Sequence, residues 1–134
     1  MQIEEIDYNE ILEVRHAVLY PNMDIAYAKV DNDHLGIHVG IKEAGNAVAV
    51  VSIFLDGRNI QFRKLATLPS YQGKGYGSTL IKWIINYAKE MKFDKIWGNA
   101  RLDALPFYQK LDFKNTEKEF SRNGIDYTIV EYNI

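Results

Sequence analysis

A strand, a glycine-rich turn and a helix follow one another without a break in the middle of the chain, in "LATLPSYQGKGYGSTLIKWIINYAKEM" at residues 65 to 91. Gly73, Gly75 and Gly77 separate an apolar run that ends near Leu68 from a run with helical apolar spacing. The first N–H groups of such a helix have no partner and lie at the positive end of its dipole, so they attract anions. Glycines let a phosphate come close to those groups. The pattern predicts a phosphate-binding turn, with a merely tight turn as the alternative.

The spacing of the glycines excludes two common phosphate loops. A Walker loop ends in glycine, lysine and serine or threonine, whereas Gly77 is followed directly by Ser78. The dinucleotide fingerprint is G-x-G-x-x-G in the opening unit of a parallel sheet. The run here is G-x-G-x-G, and it follows what reads as an antiparallel meander. A different kind of phosphate site is therefore indicated.

The segment before the glycines indicates one helix and three strands. Asp7 and Glu10 form a candidate capping box, and apolar residues then recur at helical spacing, which predicts a helix over about residues 8 to 20. Residues 21 to 36 are rich in turn formers, with a short helical turn near 23 to 29 as an option. Three apolar runs follow, "GIHVGIK", "AVAVVSIFL" and "NIQFRKLATL", joined by short turn sequences. They predict an antiparallel meander.

The segment after the glycines alternates helix and strand before a closing hairpin. A helix of about four turns begins near Gly75, "FDKIWGNA" predicts a strand and "DALPFYQKL" a short helix. The last residues predict a hairpin turned by Asn123 and Gly124. The helix after the glycines is a right-handed crossover if its two flanking strands pair in parallel. We therefore expect one α/β (α+β) domain over residues 1–134 with a mixed, mostly antiparallel sheet.

Composition limits the function further. The net charge is −2 and no basic block is present, which argues against nucleic-acid binding. The first residues lack a signal-peptide pattern and no apolar run reaches the length of a membrane span, so we expect a cytoplasmic protein that does not bind membranes. The chain has no cysteine, which excludes a disulfide framework and thiolate ligands. His16, His34 and His38 lack ligand spacing, so we expect no metal.

Two motifs in order along the chain resemble those of the GNAT N-acetyltransferase superfamily. The first, Gln/Arg-x-x-Gly-x-Gly/Ala, is present as Gln72, Gly75 and Gly77. The second, in "NARLDALPFYQKLDF" at residues 99 to 113, places an alanine, an aromatic residue and a tyrosine at Ala104, Phe107 and Tyr108. The order of helix, meander, glycine-turn helix, strand, helix and hairpin matches the same family over nearly the whole chain.

The resemblance implies helices on both faces of the sheet and acetyl-CoA as cosubstrate. It also implies a parallel strand pair that splays apart at its C-terminal ends, with the pantetheine arm between residues 65 to 68 and residues 96 to 101. The pyrophosphate would bind backbone amides, and the thioester would reach the first of these strands. The residues implied to contact the cofactor are Leu65, Ala66, Thr67, Gln72, Gly73, Lys74, Gly75, Tyr76, Gly77, Ser78, Asn99 and Arg101.

The chemistry implied is direct attack by a primary amine, without a covalent enzyme intermediate. Tyr108 occupies the position of the tyrosine that donates a proton or a hydrogen bond to the departing thiolate, with a core tyrosine as the alternative. Many relatives carry a basic carboxylate on the strand before the glycine turn, but "NIQFRKLATL" has none. His38 is the candidate base because a histidine can take up a proton near neutral pH, against a structural role for it.

Two positions depart from the family pattern. Arg101 stands where relatives often carry a cofactor-contacting asparagine, and Asn99 lies two residues earlier, so either could contact CoA. Asp112 replaces the usual glycine before phenylalanine, and aspartate tolerates the left-handed backbone conformation.

The acceptor is expected to be a small-molecule amine of open identity, and a homodimer is left open. Arg15, on the apolar stripe of the first helix, either shapes the acceptor pocket or forms a structural salt bridge. Asp24, Asp31 and Asp33 could attract a polyamine or a lysine side chain. Two other functions compete with acetyl transfer: a CoA-binding regulatory module without turnover, and a nucleotide-binding protein that uses the glycine turn for phosphate alone.

Overall fold

The structure is a computed structural model that describes residues 1–134. Seven strands form one sheet in the order β1-β2-β3-β4-β5-β7-β6, and β4–β5 is the only parallel pair. The strands are β1 (Ile3–Glu5), β2 (Ile37–Glu43), β3 (Asn46–Asp56), β4 (Asn59–Thr67), β5 (Lys95–Arg101), β6 (Lys114–Arg122) and β7 (Ile125–Asn133). The helices are α1 (Tyr8–Leu19), α2 (Tyr76–Glu90) and α3 (Leu105–Lys110). The predicted fold class is confirmed.

The helices cover both faces of the sheet and divide the core in two. Ile11 and Val14 of α1 pack against Val50 and Ala66 in the smaller cluster. On the opposite face, α2 and α3 join β2 to β5 and β7 in a cluster of 19 buried residues, which makes it the main core. We refer below to the α1 face and the α2 face of the sheet.

A β-bulge changes the direction in which β4 side chains point. Ser52 pairs with Arg63 and Val50 with Ala66, so Lys64 and Leu65 together oppose a single residue of β3. Lys64 has a positive φ of 58°, the left-handed conformation in which bulges often place one residue. Because the bulge adds one residue to the alternation, Leu65 packs on the α2 face and Ala66 on the α1 face.

The parallel pair β4–β5 is short. Its pairing covers Asn59 to Gln61 of β4 and Lys95 to Trp97 of β5, and no pairing continues beyond Gln61 and Trp97. A gap therefore opens between the C-terminal halves of the two strands, and α2 makes the crossover between them. Ile96, which we expected to face the gap, is paired with Ile60 and fully buried, so the β5 side of the gap begins after Trp97.

Local features agree with the expectations in part. Asp7 caps α1 by accepting from the Asn9 N–H, but Glu10 does not complete the capping box, because it accepts from the N–H of Ala47 at 3.0 Å instead. The closing hairpin turns at Asn123 and Gly124, with φ of 53° and 76°.

Three short elements complete the fold. Strand β1 was not predicted, and residues 21 to 36 contain two short 3-10 helices, Ile25–Ala28 and Asp33–Leu35. Asp112 has the expected left-handed conformation, with φ of 69°. None of the helices combines the length and the apolar character that a bilayer crossing requires.

Candidate active site

Six consecutive backbone N–H groups, from Gly73 to Ser78, have no acceptor within the chain. The first α2 N–H bonded to the turn is that of Thr79, which donates to Gly75 O at 3.0 Å. Before the run, the N–H groups of Tyr71 and Gln72 donate to Leu68 O and Pro69 O. The free N–H groups are thus confined to the turn and the first residues of α2, where the helix dipole is positive.

The glycines of this turn serve different purposes. Gly73 and Gly75 have positive φ values of 75° and 89°, and a Cβ at either would meet no atom within 4 Å. Their backbone conformation therefore favours glycine, and the space beside them is open. Gly77 lies inside α2, where a Cβ would be 3.4 Å from Phe107 and 3.8 Å from Leu65. Gly77 thus allows α2 to approach α3 and β4 closely.

Side chains fix the turn without using its free N–H groups. Gln72 Nε2 donates to Thr67 O at 2.9 Å, which ties the turn to the end of β4. Tyr76 Oη donates to Glu43 at 2.7 Å and joins the start of α2 to the end of β2. Lys74 is exposed, its Nζ lies 5.6 Å from the Tyr71 ring centroid, and it forms no ion pair. We expected the Gln72 N–H to bind phosphate, but its bond to Pro69 O uses that donor.

Aromatic residues lie where the parallel strands separate. Phe62, the first β4 residue beyond the pairing, stacks on Tyr108 of α3 with ring centroids 5.4 Å apart. Gly98 of β5 has no side chain where the Phe62 ring lies, and any Cβ there would overlap that ring. Phe62 and Gly98 were not among the residues predicted for the site, although a glycine inside a strand pattern is a signal of close approach.

Tyr108 is a buried ring whose hydroxyl has no partner within the chain. The residue is 6% exposed and packs among Phe62, Phe107 and Phe113. Arg15 Nε is the one fully enclosed side-chain N or O atom without a hydrogen-bond partner, so the Tyr108 hydroxyl is not fully enclosed. Burial raises the pKa of Tyr108 above its ordinary value, which keeps the phenol protonated and able to donate.

Asn99 and Arg101 share one face of β5. The alternate residues Ile96 and Ala100 belong to the core of the α2 face, so Asn99 and Arg101 lie on the α1 face. They pair with Ile129 and Tyr127 of β7, and both are half-buried. The glycine turn and Tyr108 lie on the opposite side of the sheet from these two residues.

Arg15 forms a buried ion pair with Asp33. Arg15 is fully buried, and its guanidinium donates to Asp33 Oδ2 at 2.8 Å and to Asp33 Oδ1 at 3.1 Å. It also donates to Ala28 O and to Ser52 Oγ, both at 2.9 Å. Of the two alternatives from the sequence, the structural salt bridge is present, and it ties residues 28 to 33 to α1 and β3.

Further donors complete the surroundings of Asp33. Tyr8 Oη donates to Asp33 Oδ2 at 2.6 Å, and the Val30 N–H donates to the same oxygen at 2.9 Å. Burial alone would raise the pKa of Asp33, but the hydrogen bonds from Arg15, Tyr8 and Val30, with the Arg15 charge, outweigh it and lower the pKa to about 2. Burial and the bond to Asp33 raise the pKa of Tyr8 to about 12. Asp33 is thus an anion that the chain itself neutralises.

His38 belongs to the same network. Its Nδ1 lies 2.6 Å from Ser52 Oγ and its Nε2 lies 2.8 Å from Asp33 O, so both ring nitrogens have partners. His38 pairs with Ser52 and Ser52 with Arg63, which places His38 two strands away from the gap, a distance of about 10 Å at ordinary strand spacing. Both contacts are of the kind that a structural role for His38 requires. No cluster of three or more His, Asp or Glu side chains is placed to hold a metal ion.

The sequence profile of the acetyltransferase (GNAT) family matches residues 3–113. The chain belongs to this family. As a GNAT acetyltransferase it is an acyltransferase, and the motif resemblance is confirmed. It is 28% identical over 141 aligned positions to YitI, an uncharacterized N-acetyltransferase of Bacillus subtilis, covering 98% of this chain and 95% of that protein.

Solved structures of the GNAT fold superimpose on nearly the whole chain. An IAA acetyltransferase from Bacillus cereus is similar with a TM-score of 0.77 at 20% identity, covering 99% of both chains. A GNAT family acetyltransferase from Elizabethkingia anophelis, solved with acetyl-CoA bound, has a TM-score of 0.73 at 17% identity, covering 99% of this chain and 97% of that one. At these identities the likeness establishes the fold alone.

Proposed function

We propose that this GNAT protein, acting as one domain over residues 1–134, transfers an acetyl group from acetyl-CoA to a primary amine of a small molecule. The observation that carries the proposal is the run of six free N–H groups from Gly73 to Ser78 beside the gap between β4 and β5. An anion site and an open strand edge at one place suit a ligand with a diphosphate and an extended, amide-bearing arm. The acetyl-CoA-bound relative supports the same choice.

The residues of the turn fit the phosphate end of the cosubstrate. Gly73 and Gly75 place no side chain within the cradle of N–H groups, and the exposed Lys74 adds a cation without an acidic partner. Gly77 and Ser78 contribute N–H groups from the first turn of α2. Gln72 acts through its bond to Thr67, which positions the turn.

The gap fits the extended arm. Leu65, Ala66 and Thr67 offer backbone on the β4 side, and Asn99 and Arg101 follow the end of the pairing on β5. The bulge at Lys64 interrupts the ladder with β3, so backbone donors there can stabilise negative charge that develops on a carbonyl oxygen. Acetyl-CoA supplies an activated acetyl thioester when it is bound.

Proton transfer rests on Tyr108. Its hydroxyl is not fully enclosed although the ring is buried, and its raised pKa keeps the phenol protonated, so a proton is present for donation of a hydrogen bond, or of the proton itself, to a thiolate. We give His38 no role in proton transfer, because both of its nitrogens are already bonded. Strand β4 carries no carboxylate, so water is the proposed acceptor of the proton from the amine.

The first test is a thermal shift of the purified protein with acetyl-CoA, CoA, ATP and NAD side by side. At a hundredfold excess over Kd a ligand stabilises the folded state by about 2.7 kcal/mol, which raises Tm measurably. We expect a shift with acetyl-CoA and CoA only. Equal shifts with ATP or NAD would favour a nucleotide site, and binding without release of free CoA in the presence of any amine would favour a regulatory module.

A further inference from the structure

A small cleft adjoins the point where β4 and β5 separate. It has a volume of about 280 Å³ and is lined by Lys29, Val30, Asp31, Asn32, Arg63 and Lys64. Arg63 is two residues beyond Gln61, the last β4 residue paired with β5, so it lies beside the opening of the gap. Ser52, the β3 residue paired with Arg63, accepts a hydrogen bond from Arg15 of α1. Paired residues of neighbouring strands share a face, so Arg63 lies on the α1 face.

The amine is expected to approach from this face. The free N–H groups lie in the glycine turn and in the first residues of α2, so the phosphates of the cosubstrate are expected on the α2 side of the gap. The other side is left for the acceptor, and the cleft is a concave surface there that includes Arg63 and Lys64 of β4. Residues 28 to 33, which carry one wall of the cleft, are held in place by the bonds of Arg15 and Asp33.

The cleft has an excess of positive charge. Lys29, Arg63 and Lys64 face a single carboxylate, that of Asp31. The five salt bridges of the chain involve Arg15, Lys42 twice, Arg58 and Lys95, so none of the three cations of the cleft has an ion-pair partner.

Two of these cations rest on aromatic rings. Arg63 Cζ lies 6.0 Å from the Phe54 centroid, and Lys64 Nζ lies 5.1 Å from the Tyr20 centroid. Lys64 also donates to the Tyr20 hydroxyl. These contacts hold the cations in place without neutralising their charge.

The acidic residues near the cleft do not offset this charge. Asp33 is neutralised by Arg15, and Asp24, which caps its own 3-10 helix through the Ala26 N–H at 2.9 Å, does not line the cleft. Of the three aspartates that could attract a polyamine, Asp31 alone lines the cleft, and it lies among the three cations. A polycationic acceptor would therefore meet net repulsion in this cleft.

We propose that the acceptor amine carries an anionic group, a carboxylate or a phosphate, that binds Arg63 and Lys64. This rests on the proposed function and names its substrate class. Arg63 is a binding and specificity residue, because a guanidinium binds either anion with paired hydrogen bonds. Lys29 adds a cation from the opposite wall of the cleft.

The test compares matched amines after acetyl-CoA binding has been verified. β-Alanine, β-alaninamide and 1,3-diaminopropane place a carboxylate, a neutral amide and a second cation at similar distances from the amine. Phosphoethanolamine and ethanolamine form the phosphate arm, and the common α-amino acids with their amides extend the carboxylate arm. Release of free CoA gives kcat and KM, and calorimetry of each amine with the CoA-saturated protein gives a binding constant independent of turnover.

We expect the anionic member of at least one pair to bind and react at least tenfold better than its neutral or cationic partner. Arg63→Gln should raise the KM and the Kd of that anionic amine by roughly tenfold or more, as expected for a lost charged hydrogen bond. It should change the KM and the Kd of the neutral partner by less than twofold. Arg63→Lys should recover part of the affinity for the anionic amine. Asp31→Asn, which removes the carboxylate of the cleft, should lower both constants for the anionic amine.

The control is Arg58→Gln, which removes one positive charge from an exposed ion pair with Asp94. It should change none of these constants. Equal constants within every pair, preference for the neutral or dicationic member, or no binding of any anionic amine overturns the proposal while the proposed function stands. If acetyl-CoA itself does not bind, the proposed function fails, and this inference fails with it.

Discussion

The ring of Phe62 occupies the space that a side chain at Gly98 would fill: a Cβ on residue 98 would lie 2.4 Å from Phe62 Cζ. The same ring stacks on Tyr108, so the absence of a side chain on β5 determines where the tyrosine of α3 lies. The positions of Gly98 in β5, Phe62 in β4 and Tyr108 in α3 therefore depend on one another at the opening of the gap.

Gly98→Ala should destabilise the protein by about 1–3 kcal/mol, because the new methyl group must displace a packed ring. Urea unfolding measures the loss. Phe62→Leu in the same chain should restore part of it, since the smaller side chain leaves room for the methyl group. An unchanged midpoint for Gly98→Ala would mean that the ring moves without cost.

Gly75→Glu should abolish binding of acetyl-CoA and CoA, because a carboxylate beside the free N–H groups would repel the phosphates. Gly57→Glu is the matched control, since Gly57 also has a positive φ, at 58°, and open space at its Cβ, but lies in the β3–β4 turn. Both variants add the same charge at a position with positive φ. Calorimetry with CoA separates them, and normal affinity in Gly75→Glu would refute the anion site.

Tyr108→Phe should lower kcat by at least tenfold, as expected for loss of a general acid, while Kd for CoA changes less than about twofold. The ring and its stacking on Phe62 are kept, so stability should hardly change. Tyr132→Phe, on β7 and packed against Phe113, controls for loss of a hydroxyl outside the gap. Equal turnover in wild type and Tyr108→Phe would remove Tyr108 from the mechanism.

Arg15→Met should reduce the free energy of unfolding by about 3–5 kcal/mol, because it leaves the Asp33 carboxylate buried without its partner. Arg58→Met breaks the exposed ion pair with Asp94 and should cost at most about 1 kcal/mol. Chemical denaturation of both variants tests the contrast. Similar small losses would show that the buried pair contributes no more than an exposed one.

The Asp33 carboxylate should make stability depend on acid pH. Its folded pKa of about 2 lies below the ordinary value of 3.8, so its contribution is complete above about pH 5 and is lost as the pH falls toward 2. The contribution is about 2 kcal/mol. The stability difference between wild type and Asp33→Asn should therefore narrow between about pH 5 and pH 2. A constant difference over that range would contradict the lowered pKa.

The regular elements could be predicted from the sequence because their signals are local. Helix α2 follows from apolar spacing after Gly75, and the closing hairpin from Asn123 and Gly124. Strand β1 was missed because three residues, two of them glutamates, carry no alternation. The capping box failed because Glu10 found a competing donor, the Ala47 N–H, that is remote in sequence.

The candidate site was likewise predictable only where its signals are local. The glycine turn could be predicted because its residues are contiguous. The structure corrected the predicted run of free N–H groups at one residue, Gln72, whose N–H is bonded to Pro69 O. The pairing of Arg15 with Asp33 could not be predicted, because it spans 18 residues through an irregular segment. The positive cleft combines that segment with β4, and no local pattern relates Lys29 to Arg63.

The extra residue at the Lys64 bulge keeps two dissimilar side chains on their own faces of the sheet. If β4 kept all of its residues but paired without the bulge, Leu65 would turn to the α1 face and Ala66 to the α2 face, with every side chain chemically unchanged. Deletion of Lys64 would instead leave Leu65 alone opposite Val51, so both residues would stay on their present faces. The shape of β4 is thus less sensitive to the loss of this residue than to the loss of the bulge that it forms.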